Sequence, residues 1–214
     1  MYRAAIQSNP GYAMAHCWYA DLLGGAGRCE EALEEMRMAE ELDPVSPVLN
    51  TIFGWMLYFA RDYEKAISRY QKALELDPQF VFAIFWLAKV YEQQSRFEEA
   101  LTEFERAVRM VEGHPKTRAG LAHALAVSGR HEEARRILDD LTALSRAQYV
   151  PALDIAVIHM GLGDTDQAFA WLERAYQDHC GFLVWMNSDP VMDPLRRDPR
   201  YHDLLHRIGY PGHS

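Results

Sequence analysis

The chain has little lysine, little cysteine and no long apolar run, and each shortage closes off a class of function. Only four of its 214 residues are lysine, and acidic side chains outnumber basic ones by 31 to 22, for a formal charge of −9. Nucleic-acid binding draws its affinity from clustered Lys and Arg set against phosphate, so nucleic acid is not an expected partner. No block of like charge marks a basic arm or an acidic tail. The three cysteines, Cys17, Cys29 and Cys180, are an odd number without metal-ligand spacing. Two of them fall inside helical patterns, where a lone thiol serves as a small apolar filler. Read as reduced, they suggest a cytoplasmic protein. The opening Met1-Tyr-Arg-Ala-Ala-Ile lacks the apolar stretch of a secretion signal. The longest apolar run, Phe80 to Ala88, is about half of what a membrane span needs, and no membrane association is expected.

What the chain does have is a repeat. Alanine recurs at Ala32, Ala66, Ala100, Ala134 and Ala168, always 34 residues apart. Small residues recur in the same register at Ala20, Gly54, Ala88, Ala122 and Ala156. A third series runs Ala39, Ala73, Ala107, Leu141 and Ala175, with one departure. Large apolar residues accompany them at Met36, Tyr70, Phe104, Leu138 and Leu172. Two antiparallel helices approach closely only where side chains are small, so the alanines mark crossings and the large residues fill the space beside them. Short turns separate the paired helices at Gly27-Arg, Arg61-Asp, Ser95-Arg, Gly129-Arg and Gly163-Asp. Acidic residues soon after each turn suit a helix N-terminus. Pro44 and Pro78 close their hairpins, because proline cannot continue a helix interior.

This register resembles that of the tetratricopeptide repeat family. The match is strongest over Phe53-Gly54, Leu57, Ala66, Tyr70, Ala73, Pro78 and then Leu87-Ala88, Tyr91, Ala100, Phe104, Ala107. The resemblance implies an all-α fold, a right-handed alpha-alpha superhelix of antiparallel helix hairpins with a C-terminal capping helix. Five hairpins are expected over 11–178, at about 13–46, 47–80, 81–114, 115–148 and 149–178. Leu141 and the missing closing prolines of the last two repeats imply looser packing there.

Two ends stand outside the period. Tyr2, Ala5 and Pro10 lie one period before Met36, Ala39 and Pro44, so residues 1–10 read as the second helix of a truncated repeat. Such a half hairpin leaves an apolar face without its partner, which suggests the C-terminal part of a longer protein, with a short gene that starts late as the rival reading. Residues 179–214 form an Asp-Pro-rich cap with Asp189-Pro190, Asp193-Pro194 and Asp198-Pro199. Asp before Pro is a helix start, predicting a turn at about 191–196 and a terminal helix at about 199–208 stopped by Gly209. Leu204, Leu205 and Ile208 would dock that helix. The run from Asp189 to Leu205 also resembles a tail of bacterial signalling proteins. Those carry such repeats behind an adenylate cyclase, a Ser/Thr kinase or a DNA-binding regulator domain.

Catalytic patterns are weak. His202 and His206 stand four apart on the terminal helix, a metal-presenting spacing, but no third ligand accompanies them. Asp178-His179-Cys180 suggests an activated thiol only by adjacency, and Gly24-Gly25-Ala26-Gly27 lacks the Gly-Lys-Ser/Thr ending of a phosphate loop. No enzyme activity, metal or cofactor is expected.

In the tetratricopeptide family the first helix of each hairpin lines a concave groove. Carried onto this chain, the groove holds Val48, Thr51, Trp55, Tyr58 and Phe59 in the second repeat and Phe82, Phe85, Lys89, Glu92 and Gln93 in the third. The fourth repeat supplies Lys116, Ala119, His123, Ala126 and Val127. Aromatic residues clustered on one such face suggest a binding surface for a protein or peptide partner of apolar or aromatic character. The asparagines of the family's carboxylate clamp are missing. Part of the stripe instead packs between neighbouring first helices in a competing reading, and Phe182-Leu183-Val184-Trp185-Met186 is a candidate internal ligand for the fifth repeat. A homodimer formed through the N-terminal half hairpin is one alternative function, and an enzyme or metal-binding protein using His179, Cys180 or the His202/His206 pair is another.

Overall fold

The computed structural model describes residues 2–210, and among them every regular element is helical. They divide into two compact units, one ending at Val90 and one beginning at Tyr91.

The N-terminal unit contains α1 (Tyr2–Ser8), α2 (Ala13–Gly25), α3 (Cys29–Leu42), α4 (Pro47–Phe59), α5 (Tyr63–Leu76) and most of α6 (Val81–Gln93). Helices α2/α3 and α4/α5 pair as hairpins, and their contacts run through the small residues. Ala20, Ala32, Ala39, Ala66 and Ala73 are all buried, as are Met36 and Tyr70 beside them. Gly54 shows how the two series fit each other. A Cβ there would lie 2.5 Å from Cε1 of Tyr70, the largest residue of its series, whereas repeats with Met, Phe or Leu in place of Tyr70 carry alanine in place of Gly54. Ser46 starts α4 by accepting a hydrogen bond from the Leu49 amide at 3.3 Å, with Pro47 in the first turn. Helix α1 buries none of its residues and is tied to α2 by Arg3, whose Nε donates to the Tyr19 hydroxyl at 2.5 Å.

The C-terminal unit continues with α7 (Phe97–Met110), α8 (Pro115–Val127), α9 (His131–Leu144), α10 (Ala152–Gly161) and α11 (Thr165–Gln177). Short 3-10 turns follow at Gly181–Trp185 and Pro190–Leu195, and then α12 (Pro199–Ile208). The looser packing expected around Leu141 is absent. Its side chain is fully buried and joins Ala119, Ala122, Leu138, Ile155 and Ile158 in one cluster. The larger residue fills space that alanine would leave empty.

The tail carries two of the expected Asp-Pro starts. Asp189 accepts from the Val191 amide at 3.0 Å and Asp198 from the Arg200 amide at 2.9 Å. Pro194 instead lies inside its 3-10 turn. Gly209, with φ of 84°, stops α12 in the left-handed region, which costs glycine no Cβ clash. Leu183, Met186, Val191, Met192, Leu195, Tyr201, Leu204 and Leu205 share a core with Ala152, Ala156 and Met160 of α10 and with Leu172 of α11. The segment Phe182–Met186 therefore folds back as part of the core, leaving Phe182 and Val184 exposed. Among the described residues, no helix is long and apolar enough to cross a membrane.

Candidate interaction surfaces

The sequence of α4, Pro-Val-Leu-Asn-Thr-Ile-Phe-Gly-Trp-Met-Leu-Tyr-Phe, is apolar nearly all round, so its concave positions are aromatic as well as its core. In the N-terminal unit these rings and those of α6 form one cluster. Trp55 lies 5.5 Å from Phe59 and 5.4 Å from Trp86, and Tyr58 lies 5.3 Å from Trp86 (centroid distances). Tilted and edge-on contacts at this spacing favour the ring quadrupoles. The Lys89 ammonium sits 5.1 Å above the Tyr58 ring and 4.9 Å above Trp86, in cation–π range.

Burial then sorts the groove residues taken from the sequence. Thr51 is fully buried, and its hydroxyl donates to the Pro47 carbonyl at 2.8 Å. Tyr58 is fully buried too, and Trp55, Phe59 and Phe85 are buried with only an edge showing. Trp55, Tyr58 and Phe59 pack against Trp86 of α6, and all five are withdrawn from the surface. The groove residues of this unit that stand at the surface are Phe82 at 38% exposure, Val48 at 37%, and the half-buried Lys89. Trp86 was not among the groove positions, yet it touches Trp55, Tyr58, Phe59, Phe82 and Phe85. Its signal was the 34-residue register itself, since Trp18 and Ile52 precede it at the same position.

In the C-terminal unit, Glu92 and His123 are buried and paired with each other, His123 Nδ1 lying 3.0 Å from Glu92 Oε2. They border a cleft of about 300 Å³ whose far wall is the tail between Pro190 and Pro194. Nearby, Lys116 Nζ stands 3.5 Å from the buried Asp154 and 4.7 Å above the Phe182 ring.

The weaker patterns acquire no supporting geometry. Burial pushes the Cys180 thiol up, opposite to what an activated nucleophile needs. Burial, with the nearby Asp21 charge, pushes Cys17 to about 12. His202 and His206 are exposed, and no group of three or more His, Cys, Asp or Glu is placed to hold a metal among the described residues. Gly24 and Gly25 are the last residues of α2 and not a loop before a helix.

Buried small residues at a fixed period, joined into antiparallel hairpins, define a helical-repeat protein of the tetratricopeptide type. Models of the tetratricopeptide repeat match residues 1–47, 53–115 and 92–149, and the chain belongs to that family. Proteins of this family act as protein-interaction scaffolds. The chain is 33% identical over 109 residues to anaphase-promoting complex subunit 3 of Schizosaccharomyces pombe, which covers 49% of this chain and 16% of that protein. It spans between 12% and 16% of the length of the relatives it matches first. Among solved structures, a tetratricopeptide repeat protein of Parabacteroides merdae superposes with a TM-score of 0.70 at 15% identity, over 89% of this chain and 75% of that one. YrrB, described as a tetratricopeptide repeat protein with an unusual peptide-binding site, superposes with a TM-score of 0.53 at 21% identity, over 87% and 96%. At these identities the likeness concerns the fold.

Proposed function

We propose that the chain is a non-catalytic interaction module that captures a peptide with apolar or aromatic side chains on the aromatic face of its N-terminal unit. The observation that carries this reading is Phe82, exposed beside a packed bed of rings, with the Lys89 ammonium resting on that bed. Rigid aromatics lose little entropy on binding, and a cation held on them adds polar specificity. Trp55 and Phe85 belong to the bed, so truncating them would damage the scaffold as well as the surface. The test uses peptides selected on the purified chain from a displayed random library. Phe82→Ala combined with Lys89→Ala should weaken the selected peptides at least tenfold while leaving the melting temperature within about 2 °C. Peptides that bind the double variant as tightly as the original would refute the reading.

The tail's likeness to bacterial signalling proteins supports placing the module in a cytoplasmic signalling or regulatory protein. The complete reading frame tests this. A cyclase, kinase or DNA-binding regulator domain in it is the expected finding, and a frame without one refutes the placement.

A second reading, self-association, is favoured by α2. Trp18 and Leu22 are 46% and 55% exposed, whereas their equivalents Ile52 and Met56, then Trp86 and Val90, are buried. Sedimentation at high concentration should show a dimer that Leu22→Asp dissolves; a strict monomer would rule this reading out.

A further inference from the structure

Two buried histidines are paired with a glutamate among the described residues, and the pairs differ at the second ring nitrogen. His16 Nδ1 lies 2.7 Å from Glu35 Oε2, and its other ring nitrogen meets the Pro10 carbonyl at 3.2 Å, so both nitrogens are used. His123 spends Nδ1 on Glu92, but its Nε2 has no hydrogen bond and is not sealed away from open space. His123 lines the cleft of about 300 Å³ in the C-terminal unit. Gly161 lets the backbone of α10 come up close against the ring, because a Cβ there would lie 2.9 Å from His123 Cδ2.

The lining specifies a ligand class. Two carboxylates, Glu92 and Asp193, border the cleft, and no Lys or Arg does. Asp193 is engaged at its edge by Arg196 at 2.7 Å. Glu92 is better placed to bind, since its side chain is 3% exposed and Oε1 receives only a long contact, 3.4 Å, from Gln93 Nε2. A carboxylate offers about four acceptor sites, and leaving them empty in a dry site is costly. Gln93 and Ser95 add neutral polar groups, and Val127, Met160 and Val191 supply an apolar stretch of wall. An anion would meet like charge here, and a neutral aromatic would leave Glu92 underserved. The volume lies at the lower end for small-molecule sites, about 300–1,000 Å³, which suits one side chain better than a length of peptide.

We propose that this cleft binds a primary alkylammonium group. The ammonium donates to Glu92 Oε1 and to His123 Nε2, and a four- or five-carbon stem lies along Val127 and Met160. A lysine side chain of a partner and a free aliphatic diamine share this chemistry.

The test observes the His123 ring by carbon–proton NMR on the full chain, its signal assigned through His123→Gln. Nα-acetyl-lysine amide should move that signal saturably with a dissociation constant on the order of 1 mM. Nα-acetyl-norleucine amide, which has the stem without the ammonium, should bind at least tenfold more weakly. Cadaverine is the second arm. Tighter binding by cadaverine supports the site with a free diamine as ligand, and tighter binding by the lysine amide supports it with a peptide side chain. Glu92→Gln should abolish the response. If that variant does not fold, Val127→Arg at the mouth keeps the pair intact and fills the cleft with its own guanidinium, and it should also block binding. Equal binding of norleucine and lysine amides, or no saturable response to either amine, overturns the proposal and leaves the peptide reading of the N-terminal unit untouched.

Discussion

At the residue scale, the least comfortable group is the Tyr70 hydroxyl, fully buried and without a hydrogen-bond partner. Burial alone holds its pKa well above the usual tyrosine value. An unsatisfied buried hydroxyl costs about 1–3 kcal/mol, so Tyr70→Phe should raise the unfolding free energy by roughly 1 kcal/mol in urea titrations. Gly54→Ala should do the reverse, losing about 1–3 kcal/mol as its Cβ meets the ring. Adding Tyr70→Leu, the pairing that the fourth and fifth repeats use, should recover part of that loss, and a double-mutant cycle would measure the coupling. The hairpin turns offer a second pair of tests. Positions 27, 61, 95, 129 and 163 all take positive φ, but Arg61 and Ser95 do so as non-glycine residues, at 62° and 58°. Ser95→Gly should gain about 0.5–1 kcal/mol by relieving that strain. Gly163→Ala, where nothing lies within 4 Å of an added Cβ, should lose about 1 kcal/mol through the backbone alone.

Element by element, the helices were the most legible part of the chain. Helix-contact positions recur with the repeat, and the alanines at 32, 66, 100, 134 and 168 are all buried. The side-chain environment of the groove was much less legible. Tyr58 and Trp55 sit at positions that face a groove in the family, but large rings on α6 cover them here, and spacing carries no information about neighbour size. Glu92 and His123 were picked out separately, and only the structure shows that they pair. The tail was readable where chemistry is local, at its Asp-Pro caps, and opaque where it packs, since no period governs Leu183 to Leu195. One interhelix link has a defined pH dependence. Burial opposes ionisation of Glu40, but hydrogen bonds from Arg69 and Lys72 outweigh it and hold its pKa below the usual glutamate value. A depressed carboxylate pKa stabilises the fold above the unfolded value, about 4.3, and the contribution fades as pH falls through the folded value. Glu40→Gln should therefore cost up to about 1 kcal/mol near pH 7, the limit for a partly solvated pair, and progressively less as pH falls below about 4.3. A deficit that did not shrink as the pH fell would point to lost packing instead, since Arg69 also stacks 4.4 Å over Phe53.

For the molecule as a whole, the question is how far damage travels. A repeat array gains its stability from intrinsic terms and nearest-neighbour interfaces, so each hairpin depends on those beside it in the chain. The tail is an integral part of this arrangement: it supplies Leu183, Met186, Val191, Met192 and Leu205 to the core of α10 and α11. Arg207 fastens α12 to α11 through two hydrogen bonds to Glu173, at 2.7 and 2.9 Å. Removing one buried leucine there acts at one end of the array and leaves the opposite end's contacts unaltered. Leu205→Ala should cost about 2–5 kcal/mol locally. Amide hydrogen exchange should show the loss of protection greatest in α10 to α12, smaller in α8 and α9, and least in α4 and α5. Gly54→Ala should give the mirror gradient, greatest in α4 and α5 and least in α11 and α12. Equal loss at every helix in both variants would mean that the 214 residues open as one cooperative body, and the nearest-neighbour account would then be wrong for this chain.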